Sequence, residues 1–303
     1  MRYFGNNIRL MVNNLLVSYT DQGPDEAPVI IFIHGFPLNK TMWYKQVESL
    51  KETYRIITYD IRGHGESDSG DPEFSIDLFV NDLISFMDKL GLDKVALCGL
   101  SMGGYIALNA IVNYPERFVA LVLSDTQCLA DSPEAKEKRS AAIEAIRKNG
   151  VVEYANESIK NLFTADSFST NTDEIELVKK MIVNTPAQSL CNTLLALSSR
   201  NETCTRLPEI NVPLLILVGD DDKITPLPLA LMMQEKIKGS LLQVIEHAGH
   251  LSCLENPEAF NEHLITFFES VYKKQSDNNS SGDGSILKNL KNKLNSLVSL
   301  FSV

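Results

Sequence analysis

The stretch VALCGLSMGGYIAL, residues 95–108, constrains the fold more than any other. Val95–Cys98 reads as a buried strand, and the residues after Ser101 read as a helix. Between them stands one serine, boxed in by Gly99, Gly103 and Gly104. A strand that turns abruptly into a helix forces its corner residue into strained φ/ψ, and the neighbours must lack bulk. The strain lifts the serine hydroxyl out of the sheet. It also sets that hydroxyl at a helix N-terminus, where backbone N–H groups and the dipole favour developing negative charge. A bare glycine-rich turn would need neither the strand nor the helix, so G-x-S-x-G in this setting points to a nucleophile at Ser101.

Strand and helix alternate around that corner. Residues 7–20 read as two short antiparallel strands with Asn13 and Asn14 at their turn. VIIFI (29–33) is a continuous apolar run, as a strand covered on both faces should be. A helical stretch near 40–50, the strand RIITYD (55–60), a helix over 75–90 and the strand FVALVLS (118–124) follow. The rhythm resumes late with VPLLILVGD (212–220), a helix near 226–238, LLQVIE (241–246) and a last helix started by Asn256 and Pro257. This alternation predicts an α/β fold, a mostly parallel sheet with helices on both faces.

From residue 128 to 205 the pattern is helical, without a convincing strand. Ser132 and Pro133 suit a helix start and Gly150 a stop. The expected organisation is a core of residues 1–127 and 206–272 with a helical lid inserted at 128–205. KKQSDNNSSGDGS (273–285) reads as a flexible linker. Residues 286–303 read as an amphipathic C-terminal helix with three lysines and no acid, on a chain of net charge −11. Such a helix suits weak attachment to an anionic membrane surface or to another protein chain. The alternative is that it folds back on the acidic body or stays a disordered tail. The overall acidity argues against a nucleic-acid partner.

The N-terminus lacks the pattern of a signal peptide, and no run approaches a membrane span. The five cysteines, at 98, 128, 191, 204 and 253, include no C-x-x-C pair. They are expected as buried free thiols in a reducing, cytoplasmic setting.

A serine needs a base. His263 lies on the last helix, His34 orders the loop after an early strand, and His64 sits in a polar turn. His247 directly follows a strand and reads as a turn residue. His250 begins a short loop before a helix, where an imidazole can reach over the carboxyl edge of a sheet; it is the favoured base. The base needs a carboxylate. GDDDKITP offers Asp220, Asp221 and Asp222, and Asp125 leaves another strand end as a rival.

The order Ser…Asp…His, together with HGFP, DIRGHGES, GLSMGG, GDDDKITP and AGHLSCLENPEAF, resembles the α/β-hydrolase family over about residues 28–272. The likeness is strongest to lid-bearing esterases, 3-oxoadipate enol-lactonases and cofactor-free haloperoxidases. It implies that Asp222, in G-x-x-D-x-x-x-P, is the acid and that His250, in G-H-x-x-x-x-E, is the base. It also implies an oxyanion hole from the backbone N–H groups of Phe36 and Met102. Epoxide hydrolases and haloalkane dehalogenases share the HG-x-P loop but use an aspartate nucleophile, and Ser101 argues against both. The expected activity is hydrolysis of a small carboxylic ester or lactone through an acyl-enzyme, without metal or cofactor. Perhydrolysis, carbon–carbon bond hydrolysis and a triad-bearing small-molecule receptor are the alternatives. The sequence does not specify an oligomeric state.

Overall fold

A computed structural model describes residues 7–71 and 73–273. The chain divides into two compact units, one ending at Glu262 and the other beginning at His263. The first holds an eight-stranded sheet. Its strands are β1 (Ile8–Val12), β2 (Leu15–Gln22), β3 (Val29–Ile33), β4 (Arg55–Tyr59), β5 (Val95–Leu100), β6 (Phe118–Ser124), β7 (Leu214–Gly219) and β8 (Leu241–Ile245). They lie in the order β1-β2-β4-β3-β5-β6-β7-β8. β2 is antiparallel to both β1 and β4, and the remaining pairs are parallel.

Local chemistry accounts for these elements. Asn13 and Asn14 take φ of 49° and 63°. A two-residue hairpin needs left-handed residues at its tip, and asparagine tolerates that region. Val12 therefore faces Leu15 across the turn. In the middle of the sheet every residue of β5 is buried. A strand covered on both faces leaves no side on which polar residues could alternate.

Helices α1 (Tyr44–Leu50), α2 (Ile76–Lys89) and α3 (Met102–Asn113) connect the parallel strands. Ser75 caps α2 by accepting a hydrogen bond from Leu78 N–H at 3.0 Å. Five further helices stand between β6 and β7: α4 (Pro133–Asn149), α5 (Val151–Leu162), α6 (Ser167–Thr170), α7 (Thr172–Asn184) and α8 (Ala187–Ser199). Ser132 caps α4, Pro133 opens it, and Gly150 closes it at φ 86°. Ile143 and Ile146 of α4 pack with Leu190, Cys191 and Leu194 of α8, so the insertion has an apolar core of its own. After β7 come α9 (Leu227–Lys236) and α10 (Ser252–Glu255). Residues 257–262 are helical, and so are 263–273 of the second unit. Apart from Lys273, the expected linker 273–285 and the tail helix 286–303 lie outside the described residues. Among the described residues, no helix is long and apolar enough to cross a membrane.

One expectation is corrected. Cys128 and Cys204 form a disulfide with their Cα atoms 4.9 Å apart, while Cys98, Cys191 and Cys253 are free and buried. The pair is separated by 76 positions in sequence. It meets because the insertion leaves the sheet domain and returns to it at one place, and no local spacing announces that. Thr203 N–H also donates to Cys128 O at 2.8 Å across the same neck.

Candidate active site

The corner after β5 has the backbone its glycines require. Ser101 takes φ 53° and ψ −113°, a conformation strained for any residue with a side chain. A Cβ on Gly99 would run into the Gly103 carbonyl, and one on Gly103 into the carbonyl of Ile33. The corner is anchored by Ser101 N–H donating to Ser124 O at 3.0 Å and by Thr126 Oγ1 donating to Ser101 O at 2.8 Å.

Two neighbouring loops are tied down at the same end of the sheet. Asp60, at the end of β4, accepts from the Lys40 backbone at 2.8 Å, the Lys40 ammonium at 2.6 Å and Glu66 N–H at 2.9 Å. The loop after β3 is held through His34. Ile61 N–H donates to His34 Nε2 at 3.0 Å, so the ring proton sits on Nδ1, which donates to Gly35 O at 2.9 Å. Leu38 N–H donates to the same carbonyl at 3.0 Å. With that carbonyl engaged, the planar trans peptide aims Phe36 N–H the opposite way. Burial, and then the neighbouring His64 ring, hold His34 well below the usual histidine range, so it stays neutral. His64 is pushed down to about 4 by burial.

A cavity of about 780 Å³ opens above the corner, with Ser101, His250, Phe36 and Met102 in its wall. Neither Phe36 N–H nor Met102 N–H donates a hydrogen bond among the described residues. Met102 is the first residue of α3, where a backbone N–H has no partner within the helix.

His250 is 1% exposed, and its Nδ1 donates to Asp222 Oδ2 at 2.9 Å. That carboxylate also accepts from Ile224 N–H at 2.8 Å, Thr225 N–H at 3.0 Å and Thr225 Oγ1 at 2.7 Å. Burial alone would raise Asp222, but the histidine and these donors hold it below the ordinary carboxylate value. The other aspartates go elsewhere. Asp220 accepts from His247 and Ala248 N–H, and Asp221 pairs with Lys223 at 3.1 Å on the surface. Asp125 accepts from Gly219 N–H at 2.9 Å, Ser124 Oγ at 2.6 Å and Ser252 Oγ at 2.5 Å. Burial first, and then the nearby Asp222 charge, push Asp125 upward. Of the remaining histidines, His247 is an exposed turn residue at φ 58° and His263 lies in the second unit.

The insertion supplies the far wall. Leu162 lines the cavity, whereas Phe163, Met181 and Ile182 are buried in packing and Phe168 is 47% exposed. Asp131 and Arg139 also line it, and they form an ion pair. Arg200 grips the same carboxylate and stacks on the Tyr105 ring at 4.3 Å. The sequence offers no periodic signal for this cluster, whose members come from three segments. Among the described residues, no group of three or more His, Cys, Asp or Glu could hold a metal ion.

Comparison with known proteins matches residues 28–257 to a family model described as the alpha/beta hydrolase fold. The chain is 31% identical over 250 residues to 3-oxoadipate enol-lactonase 1 of Acinetobacter baylyi, covering 82% of this chain and 91% of that protein. Among solved structures it is similar to a thermophilic esterase from Thermogutta terrifontis, with a TM-score of 0.83 and 32% identity over 88% of this chain and 99% of that one. The enol-lactonase from Burkholderia xenovorans LB400 superposes with a TM-score of 0.82 at 25% identity, over 86% of this chain and 100% of that one.

Proposed function

The chain belongs to the α/β-hydrolase fold family, and from that membership we propose that it is a serine hydrolase of small carboxylic esters or lactones. The observation that carries the reading is His250, paired with buried Asp222, lining the same cavity as Ser101 at its strand–helix corner.

With Nδ1–H committed to Asp222, the basic face of His250 is Nε2. That nitrogen takes the Ser101 proton as Oγ attacks the ester carbonyl. The carbonyl oxygen becomes an oxyanion and accepts from the uncommitted N–H groups of Phe36 and Met102. The tetrahedral adduct collapses, the C–O bond to the leaving alcohol breaks, and His250 returns the proton to that alcohol. A water, deprotonated by the same Nε2, then attacks the acyl-enzyme. Its collapse frees the acid and re-protonates Ser101. The helical insertion at 128–205 serves as a lid that shapes the acyl and alcohol subsites.

The relatives named above, an esterase and two enol-lactonases, support an ester or lactone as the substrate class. The test is a panel of nitrophenyl esters and lactones of varied acyl length, run on purified protein beside Ser101→Ala. Steady turnover lost in the variant is expected. A single slow turnover ending in a stable adduct would make the chain a receptor instead.

A further inference from the structure

Glu255, the last residue of α10, is 8% exposed, and each of its carboxylate oxygens is hydrogen-bonded. Oε1 accepts from Gly249 N–H at 2.8 Å. Oε2 accepts from Thr164 N–H at 2.8 Å and from Ser167 Oγ at 2.6 Å. Thr164 and Ser167 lie in the insertion, between α5 and the start of α6, while Gly249 immediately precedes His250. One buried carboxylate therefore joins the insertion to the loop that carries the imidazole. A second observation shows how close the two segments come. A Cβ on Gly249 would meet Glu255 Oε1 and Thr164 N at 3.2 Å, and the Phe163 carbonyl carbon at 3.4 Å. The segment is also continuous with the cavity, because Leu162 lines it two residues before Thr164. Asn171 Nδ2 adds a further tie by donating to Glu255 O at 3.2 Å.

We propose that Glu255 is a positioning residue that couples the insertion to His250, so that the imidazole is correctly placed only when the 162–167 segment is docked. Hydrogen bonds to a charged acceptor are shorter and stronger than neutral ones, and this acceptor is shielded from water. Undocking the segment leaves the carboxylate short of donors and free to turn, and the Ala248–Gly249 peptide, one residue before His250, loses its fixed partner. An ångström of misplacement at a base costs up to about 100-fold in rate. The device makes turnover depend on closure over the substrate, which keeps water from the cavity until the acyl group is seated.

The charge of Glu255 also acts on His250. The titratable groups facing the imidazole are Asp222 after β7, Asp125 at the end of β6 and Glu255 on α10, with Lys223 in the wall of the same cavity. All three acids push the imidazolium upward. Removing one of them moves the acid limb of the pH–rate profile to lower pH, which a purely structural residue would not do.

The proposal rests on His250 being the base, so Ser101→Ala and His250→Ala are run beside the test variants, with the fastest ester or lactone of the panel. If either keeps wild-type turnover, the hydrolase reading fails first. With both inactive, Glu255→Gln is expected to lower kcat by roughly 10- to 100-fold and to shift the acid limb downward. Ser167→Ala keeps the charge and lines no part of the cavity; it is expected to lower kcat by a smaller factor and to leave the acid limb in place. A Ser167→Ala enzyme with wild-type kcat overturns the coupling, even if Glu255→Gln fails to fold. So does a folded Glu255→Gln enzyme with an unmoved acid limb.

Discussion

Asp222 Oδ2 accepts the Nδ1 proton of His250 at 2.9 Å, and neither residue exposes more than 4% of its surface. A carboxylate so placed fixes the imidazole tautomer and favours its charged form. Burial pulls the other way. It lowers His250, but Asp222, Asp125 and Glu255 together outweigh it, and the net shift is upward.

The acid limb of the rate profile follows from that sign. In the proposed mechanism His250 takes the Ser101 proton, which only its neutral form can do, so activity is expected to rise with pH as the imidazolium is lost. The midpoint in free enzyme is expected above the ordinary histidine value of about 6.5, read from kcat/KM against pH. The same raised value makes His250 stabilising at low pH. That contribution is full below about 6.5 and fades as pH rises through the folded-state value. A limb centred below 6 would contradict the arrangement.

Asp222→Asn is expected to cost on the order of 10⁴-fold in kcat, because a neutral amide no longer fixes the basic tautomer. Asp125→Asn is expected to stay within a few-fold of wild type in kcat and to be less stable by about 1–3 kcal/mol. Its amide would set a donor against hydroxyls that now donate to the carboxylate. Steady-state kinetics and urea melts of the two variants separate these outcomes. Loss of activity in the Asp125 variant alone would reassign the acid.

Much of this fold can be read from the chain because local chemistry dictates it. FVALVLS is a strand from Phe118 to Ser124, and Ser132 caps α4 with Pro133 at its start, as the pattern predicts. Strand ends run a residue or two off, as at 212–220 against the observed Leu214–Gly219, since the terminal residues lack ladder partners. The site is less legible. Four aspartates follow two strands, and alternation cannot say which one faces His250, because each enters a turn whose path is set by tertiary contacts. Glu255 looks like one more surface acid at the end of a short helix. Its role depends on donors from residues 164 and 167, about ninety positions away. The Cys128–Cys204 bond escapes sequence reading for the same reason.

Ser101→Ala is expected to lower kcat by about 10⁴- to 10⁶-fold while leaving the fold intact. Ser101→Gly is expected to be equally inactive and more stable than the alanine variant by about 1 kcal/mol. Glycine takes φ 53° without the side-chain penalty that serine and alanine bear. Thermal melts of the two inactive variants check this. Equal midpoints would mean that the corner is unstrained.

The disulfide closes a long loop, so Cys204→Ser is expected to destabilise the protein by about 2–4 kcal/mol. The count of thiols gives an independent check. Unreduced, denatured protein should present the three free cysteines to a thiol reagent, and reduced protein all five. Five reactive thiols before reduction in air-equilibrated protein would exclude the bond.

The neck of the insertion has an engineering consequence. Its two ends stand 4.9 Å apart at Cys128 and Cys204, within the span of under about 7 Å that a four-residue β-turn closes. The intervening chain is therefore a cassette, and the sheet needs none of it to remain a connected path. A short turn between β6 and β7 would give a minimal, open-topped version of the domain. A helical segment borrowed from a relative, cut at the same two points, would exchange one ceiling over Ser101 for another. Substrate range can in this way be recombined separately from the chemistry, with Glu255 as the contact that any transplanted ceiling must satisfy.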